Sequence, residues 1–324
     1  MDHVHFPYRS PSHLLLTHVI AESGAWEKHG LEVEYDYGIS SADAHDAVAA
    51  GTVEFVDGNH MSPYARRADG DQWVYLAQST NKFNHKLVTK PDSGIEALAD
   101  VRGRVMASNS QHSGFNDWLY LKRHGLDPDQ GAVTLKTPPK ALPMAMNKWQ
   151  VRWSMVAEGE ADAAFITPPQ TLFAARAGLR VIDIEPLAMI NFTTISSGMP
   201  FVAKHGDIVE RFIKGTLEGI AFFLTQPDKA TTIIQDRFVA AGALDFEAAA
   251  HIQAEFAAIF EPKMYPELAA IENMHAEAVH KDAKAAKAHP LELWDLDPLR
   301  RIDDSGFIDD LYKDHGGRLA ALEA

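Results

Sequence analysis

Short apolar stretches alternate along the chain with longer segments whose apolar residues recur at helical spacing. The first part predicts strands and helices in alternation, at 3–8, 10–30, 31–37, 40–51, 52–57 and 73–80. The same order restarts at 104–109, 114–125, 132–137, 147–159 and 161–168. Glycines such as Gly30, Gly51 and Gly159 mark the predicted ends of helices, where this residue is common. The pattern therefore predicts an α/β protein built from two Rossmann-like lobes of one design, with a ligand cleft between them.

Alternating strands and helices predict mainly parallel sheets, in which ligands bind outside the carboxyl ends of the strands. The loops expected there are rich in Ser, Thr, Asn and His, and several open helices whose free N–H groups could hold a carboxylate, sulfonate or phosphate. The ligand-binding candidates on this basis are Arg9, Ser10, Ser40, Ser41, Asn59, His60, Asn81, Ser110, His112, Thr167 and Phe192.

Each of the main candidates also has a purely structural interpretation. His60 and His112 could bind a ligand or transfer protons near neutral pH, or they could be loop histidines bonded to the backbone. Arg9 could pair with a carboxylate or be solvated, and Phe192 could clamp a ligand or be buried. If the protein is an enzyme, the catalytic candidates are His60, His112 and His13.

Two further patterns resemble sites. His3 and His5 project from one face of the first predicted strand and could chelate a metal. The sequence offers no third carboxylate or histidine at a convincing spacing, so an ordinary strand face is favoured and no metal site is predicted. Trp149 and Trp153 lie four residues apart on one predicted helix, where packing against the sheet is favoured over an aromatic clamp.

Composition removes several classes of function. The chain has 324 residues, a formal net charge of −15 and a pI near 5.5, so nucleic acid is not an expected partner. The absence of cysteine removes disulfides, thiolate metal sites and cysteine nucleophiles. No P-loop, no H-E-x-x-H and no G-x-G-x-x-G after a strand occurs, so no cofactor is expected. The apolar runs fall far short of the ~20 residues that span a bilayer, so no membrane insertion is expected.

The N-terminal sequence MDHVHFPYRSPSHLLL has neither the basic start nor the apolar stretch of a secretory signal. As written, the chain is therefore expected to be cytoplasmic; if a leader has been trimmed, it is expected to be periplasmic. A small-molecule ligand is the expected partner, and an ABC permease is a further one if the protein is exported.

Five segments together carry a family resemblance: GAWEKHGLEVEYDYG, ADAHDAVAAGTVEFVDGN, SGFNDWLYLKRHGLDPD, MVAEGEADAAFITPP and LELWDLDPLRRIDDSGFIDDLYK. They resemble the type II periplasmic binding-protein superfamily, in particular its nitrate/sulfonate/taurine-binding proteins and the related pyrimidine-precursor synthases of thiamine biosynthesis. The resemblance implies two lobes joined by crossing strands near 86–91 and 191–203. Lobe I would then contain residues 1–90 and 195–324, and lobe II residues 91–194.

The resemblance implies reversible capture of a small polar or anionic organic molecule between the lobes, as in ABC-transporter-type substrate-binding proteins. The thiamine-pathway synthases use a cysteine-rich motif, which this chain lacks. An alternative is a cytosolic enzyme on the same fold, of the lyase, decarboxylase or hydrolase type, that uses histidines of the cleft as general acids and bases.

Overall fold

A computed structural model of the chain describes residues 1–108, 117–137, 148–168, 170–238 and 245–315. Its strands are β1 (Asp2–His5), β2 (Leu31–Glu34), β3 (Phe55–Asp57), β4 (Trp73–Phe83), β5 (Lys86–Thr89), β6 (Val105–Ala107), β7 (Thr134–Lys136), β8 (Ala163–Ile166), β9 (Arg180–Asp183) and β10 (Leu187–Gly198). Its helices up to residue 204 are α1 (Leu14–Glu22), α2 (Ala25–Lys28), α3 (Ser41–Ala50), α4 (Ser62–Arg67), α5 (Asp117–Arg123), α6 (Lys148–Glu158), α7 (Gln170–Arg176) and α8 (Met199–Lys204). The later helices are α9 (Gly206–Thr225), α10 (Pro227–Phe238), α11 (Phe246–Ala257), α12 (Leu268–Lys281), α13 (Asp297–Asp304) and α14 (Phe307–Tyr312).

The chain divides into two compact units. Unit 1 contains Met1–Lys82 and the chain from Ala188 onward, and unit 2 contains Phe83–Leu187. The divisions fall inside β4 and β10, whereas the sequence analysis placed them at residues 90 and 194. Unit 1 is thus assembled from both ends of the chain.

Both units contain β-sheets, and helices connect many of the successive strands. In unit 1, β1 pairs with β2 in parallel, and a second sheet has the order β3-β10-β4 with β10 antiparallel to β3. In unit 2 the order is β7-β6-β8-β5-β9, where β6 is parallel to both neighbours and β5 is antiparallel to both. The predicted α/β class is confirmed.

The expectation of mainly parallel sheets is wrong for β5 and β10. Parallel pairing requires a crossover connection of about a dozen residues, usually a helix. β5 follows β4 after two residues and β10 follows β9 after three, so neither strand is delivered by a crossover helix. The strand–helix–strand pattern of the sequence did not include these two short connections.

The first predicted helix is interrupted. Residues 11–13 form a 3₁₀ turn, α1 ends at Glu22, and Gly24 adopts a left-handed conformation (φ 74°) before α2 begins. Helix α3 matches its prediction closely: the Ser40 side chain accepts a hydrogen bond from the Asp43 N–H at 3.1 Å, and Gly51 has φ 69° after its last residue.

An aromatic core fills unit 1 between the strands and α9. The Phe55 and Phe212 rings stack with centroids 4.1 Å apart, and Trp26 also stacks on Phe212, at 5.5 Å. Two glycines of α9 allow this close approach: a Cβ on Gly215 would lie 2.6 Å from the Trp26 ring, and one on Gly219 would lie 2.5 Å from Ile20.

Gly219→Ala is expected to lower the free energy of unfolding by about 1–3 kcal/mol, because the added methyl group overpacks a buried contact. Ile20 is fully buried, so it has no free space to move into. Chemical denaturation followed by tryptophan fluorescence measures the change. Gly206→Ala is the matched control on the same helix, since a Cβ there meets no atom within 4 Å. Equal stability of the two variants would contradict the close-packing argument.

The core of unit 2 packs α6 and α7 against the sheet. Its buried members are Val88, Ala107, Met155, Val156, Ala161, Ala164, Ile166, Ala174 and Leu179. Trp153 packs against this cluster and donates its indole N–H to Gln170 Oε1 at 2.8 Å. Trp153 therefore packs against the core of unit 2, whereas the side chain of Trp149 lies outside the described residues.

A helix that crosses a bilayer must be both long and apolar. Within the described ranges, no helix combines the length and the apolar character needed to cross a bilayer.

Candidate functional site

Five residues of unit 1 meet where several strands end, and we call them the strand-end cluster: Arg9, His13, Asp57, His60 and Phe192. Arg9 and His13 lie between β1 and α1, Asp57 is the last residue of β3, His60 follows three residues later, and Phe192 lies in β10. Antiparallel pairing sets Ile195 of β10 opposite Asp57, which brings the two strands of the cluster together.

A buried carboxylate holds the His13 ring. Asp57 Oδ1 lies 2.8 Å from His13 Nδ1, and Thr193 donates its hydroxyl to Asp57 Oδ2 at 3.2 Å. Asp57 is fully buried and His13 is 6% exposed. Because a carboxylate can only accept at that position, His13 Nδ1 carries a proton, and Nε2 is the ring nitrogen available for a further contact.

Gly58 allows the turn after β3 to lie close to Arg9 and His13. It has φ 99°, and a Cβ at this position would lie 2.8 Å from His13 Cε1 and 3.3 Å from Arg9 Cβ. A side chain would therefore be strained and would also displace the His13 ring. The glycine thus keeps Arg9 and His13 next to the end of β3.

The Arg9 guanidinium is only partly paired. Its Nη1 donates to the Ile39 carbonyl oxygen, whereas Nε is buried and has no hydrogen-bond partner among the described residues. Burial lowers the pKa of the Arg9 side chain, and the negative charge of Asp43 acts in the opposite direction. Since arginine keeps its charge in proteins, Arg9 gives the cluster a positive charge, and its buried Nε has no partner among the described residues. Native structures usually satisfy such a donor, so Arg9 Nε is a candidate contact for an acceptor group.

His60 is held as a neutral hydrogen-bonding group. The Gln78 amide donates to the carbonyl oxygens of Thr80 (2.5 Å) and Asn191 (2.6 Å), so its oxygen is directed at the Thr194 hydroxyl, which donates to it. The Thr194 oxygen is then free to accept from His60 Nε2 at 2.8 Å. Burial, with a smaller effect of the His13 charge, lowers the pKa of His60 to about 3.

A second polar network fixes Asn59. Its Oδ1 accepts from the hydroxyls of Ser41 and Ser62, each at 2.8 Å, and its Nδ2 lies 3.2 Å from His45 Nε2. His45 Nδ1 in turn lies 2.7 Å from Asp71 Oδ2. Ser62, His45 and Asp71 thus follow the order of a hydrolase triad, with Ser62 Oγ 3.0 Å from His45 Nε2. The Asn59 amide, however, contacts both Ser62 Oγ and His45 Nε2, so this network serves to orient Asn59.

Two residues with unfavourable backbone conformations lie at this site. Asn59 has φ 72° and Phe192 has φ 62°, the left-handed region that costs a bulky residue most. The Phe192 ring is 5% exposed and lies against Phe256 (4.9 Å) and Phe260 (5.6 Å), with His13 at 5.5 Å. Backbone strain of this kind concentrates at ligand sites, where the surrounding structure maintains it.

The other sequence candidates have different surroundings. Ser10 Oγ lies 3.0 Å from Ser12 Oγ at the surface, and Ser40 caps α3. Asn81 donates to the Tyr265 carbonyl oxygen and accepts from the Glu267 N–H, both at 2.8 Å, which occupies both ends of its amide.

The three remaining candidates were predicted in lobe II. Thr167 lies in unit 2 just after β8, where its carbonyl oxygen accepts from the Gln170 N–H at 2.9 Å. Ser110 and His112 lie outside the described residues. Ligand contact by each of them stays a prediction.

Sequence reasoning missed three side chains of unit 1 that contact the candidate site residues. Asp57, Gln78 and Thr194 were not among the candidates, although they hold His13 and His60 in place. Asp57 had a usable signal, because it is a carboxylate that ends a buried strand directly before Gly58. Gln78 and Thr194 lie inside strands and carry no such mark.

The chain belongs to the family of phosphonate periplasmic substrate-binding proteins of ABC transporters, whose model matches residues 26–205. It is therefore a substrate-binding protein of the ABC-transporter type, and both the predicted family and the predicted binding function are confirmed. The family implies a small-molecule ligand and a permease partner. A search of curated proteins found no match.

Solved structures share the fold over most of their length. The periplasmic aliphatic sulphonate binding protein SsuA of Escherichia coli is 15% identical with a TM-score of 0.62, and 86% of each chain is covered. The alkanesulfonate-binding protein SsuA of Xanthomonas axonopodis pv. citri, bound to MOPS, is 14% identical with a TM-score of 0.61 and covers 90% of this chain and 96% of its own. The desulfurization enzyme DSZB is 15% identical with a TM-score of 0.60 and covers 98% of this chain and 100% of its own.

These structures establish the fold but not the activity, because binding proteins and an enzyme have it in common. The family model, in contrast, describes binding proteins. The enzyme alternative of the sequence analysis is therefore not favoured.

Proposed function

We propose that the chain captures a small organic molecule bearing a phosphonate or sulfonate group, and that Arg9 and His13 of unit 1 bind the oxyanion. The observation that carries this proposal is the buried Arg9 Nε, a charged donor without a partner among the described residues. It lies beside a histidine whose ring is oriented by Asp57. The family description, phosphonate binding, and the sulfonate named for two structural neighbours support the same ligand class.

The chemistry of the cluster suits such a group. A phosphonate or sulfonate presents three oxygens, and the planar guanidinium of Arg9 donates from several N–H groups at once. His13 is the second candidate contact, since Asp57 holds its Nδ1 and leaves Nε2 as the ring nitrogen available to a ligand. Neutral His60 already donates its Nε2 proton to Thr194, so it borders the cluster without adding charge or a further donor. Ser40, Ser41 and Asn59 are further candidate contacts. Ligand contact by Ser110, His112 and Thr167 stays a prediction from the sequence.

Arg9→Gln is expected to weaken binding of an alkylphosphonate or alkylsulfonate by about 10- to 150-fold. This corresponds to the ~1.5–3 kcal/mol of a hydrogen bond to a charged group. Isothermal titration calorimetry measures the Kd, with a carboxylate and an alcohol of the same alkyl chain as comparison ligands. Arg301→Gln is the matched control, because it removes the same charge from an exposed position in α13.

Unchanged affinity in Arg9→Gln, with circular dichroism showing an intact fold, would rule out this oxyanion site. Recovery of the ligand after incubation separates capture from catalysis. A receptor returns the molecule unchanged. A converted ligand, with conversion lost in His13→Ala and His60→Ala, would instead support the enzyme alternative.

A further inference from the structure

A second group of chemically active side chains in unit 1 lies on the sheet formed by β1 and β2. The parallel register pairs His5 with Glu34, and His3 projects from the same face two residues earlier. One ligand atom from each of His3, His5 and Glu34 can be chosen so that all lie within 4.8 Å of one another. Two imidazoles and a carboxylate are a common donor set for zinc and related dications.

The distances leave room for one metal ion. Glu34 Oε2 lies 3.9 Å from His3 Nε2 and 3.7 Å from His5 Nε2. An ion about 2.0–2.1 Å from each ligand can bridge donor atoms up to ~4.1 Å apart and holds them ~3.3 Å apart in a tetrahedral site. The two distances to Glu34 lie within this reach, and the exposed His3 side chain must close the remaining gap to His5, which is at most 4.8 Å. His3 and Glu34 are about half exposed (49% and 56%), so their side chains are free to move.

Glu54 supports the His5 ring from behind. Its Oε2 lies 2.9 Å from His5 Nδ1 and accepts the His5 backbone N–H at 2.8 Å. With its proton on Nδ1, the ring presents the Nε2 lone pair toward His3 and Glu34. A carboxylate that orients a ligating histidine in this manner is a regular part of protein metal sites and tunes their affinity.

We propose that His3, His5 and Glu34 bind a first-row transition-metal dication of the Zn²⁺ type, with water at the remaining coordination position. This differs from the sequence-based expectation of no metal site, because the third ligand comes from β2 and is close only in the folded sheet. The proposal is independent of the anion site, since it uses none of the strand-end cluster. The bound ion would join β1 to β2 and so stabilise folded unit 1.

The test uses untagged, chelator-treated full-length protein titrated with Zn²⁺ in competition with a chromogenic chelator, and with Co²⁺ followed by its visible absorption. We expect one equivalent of metal per chain and a higher melting temperature at saturating Zn²⁺. His3→Ala and Glu34→Gln are each expected to raise the Kd for Zn²⁺ at least tenfold and to abolish the thermal shift. Glu54→Gln, which loses only the supporting carboxylate, is expected to weaken binding by about 10- to 100-fold.

The matched control is His251→Ala, which removes a partly exposed histidine from α11 and should leave the Kd unchanged. The proposal is overturned if the unmodified protein binds no Zn²⁺, or if His3→Ala and His251→Ala bind it equally well. Retention of anion binding in His3→Ala would show that the loss of metal does not reflect a failure to fold.

Discussion

Arg152→Leu is expected to lower the free energy of unfolding by about 3–5 kcal/mol, because it leaves a buried carboxylate without its cation. Arg152 Nη2 lies 3.2 Å from Asp117 Oδ2, and both side chains are almost completely inaccessible. Arg152 also donates to the Phe165 carbonyl oxygen at 3.2 Å, while Ser108 donates to Asp117 Oδ2 at 2.6 Å. The pair thus ties α5, α6 and β8 together inside unit 2.

The pH dependence of the loss identifies its cause. Burial raises the pKa of Asp117, and the Arg152 charge is the main effect that opposes the rise. Without Arg152 the folded-state pKa rises further, so the native state favours the protonated carboxyl. Stability in the variant is then lost as the pH increases through that folded pKa. The difference from the unmodified protein should consequently be larger at pH 7 than at pH 4.

Chemical denaturation at both pH values measures this difference. Asp117→Leu/Arg152→Leu is expected to recover part of the loss, since removal of both charges leaves no buried ion unpaired. Lys136→Met is the control, because the Lys136–Glu160 pair (2.9 Å) is exposed on both sides and should contribute about 1 kcal/mol or less. A loss in Arg152→Leu no larger than in this control would show that the buried pair is dispensable.

The second large effect is a loss of stability on acidification caused by His85. The ring is fully buried among Phe83, Tyr120 and Phe165, with centroid distances of 4.4–4.6 Å. Its Nδ1 lies 3.1 Å from the Phe83 carbonyl oxygen, and Nε2 is buried without a hydrogen-bond partner among the described residues. Burial lowers the pKa of His85 to about 3.

Because the folded-state pKa of His85 is depressed, the unfolded chain binds a proton at a higher pH than the folded one does. Stability is therefore full above the unfolded pKa, near 6.5, and declines as the pH falls toward 3. The expected slope is up to about 1.4 kcal/mol per pH unit for this single proton. His60, whose pKa also lies near 3, adds a similar dependence in unit 1.

Denaturation curves between pH 7.5 and 4.5 test the assignment. His85→Phe is expected to reduce the slope of stability against pH by about one proton. Its stability at pH 7.5 should fall modestly, since the Phe83 carbonyl loses a donor. His124→Phe removes an exposed histidine of the same unit and should keep the original slope. If the slope is the same in both variants, acid sensitivity arises elsewhere.

Local features of the sequence determined much of the fold. Helix α3 begins and ends where a serine cap and a left-handed glycine predict, and the apolar strands β3, β4 and β8 lie inside the predicted segments or extend them by a few residues. These elements depend on nearest-neighbour chemistry, which is written in consecutive residues. The antiparallel pairing of β5 and β10 departs from the general expectation of mainly parallel sheets, because the strand–helix–strand pattern did not include the short connections that precede these strands.

The candidate site in unit 1 shows the same division between what local sequence indicates and what only long-range contacts decide. The sequence pointed to Arg9, His13, Asn59 and His60 because they follow strands, and the structure places these residues near one another in unit 1. It could not indicate that Asp57 orients His13. Nor could it indicate that Gln78 accepts the Thr194 hydroxyl proton, which leaves the Thr194 oxygen to accept from His60.

The sequence by itself determined the α/β class, the family resemblance and the polar character of the strand ends, since periodicity and turn residues act locally. Only the tertiary structure decided which partners surround each polar group. Asp117 meets Arg152, and Glu34 meets His3 and His5, through pairing and packing of elements far apart in the chain. Burial and charge at such contacts are properties of the folded arrangement, so no single stretch of residues contains them.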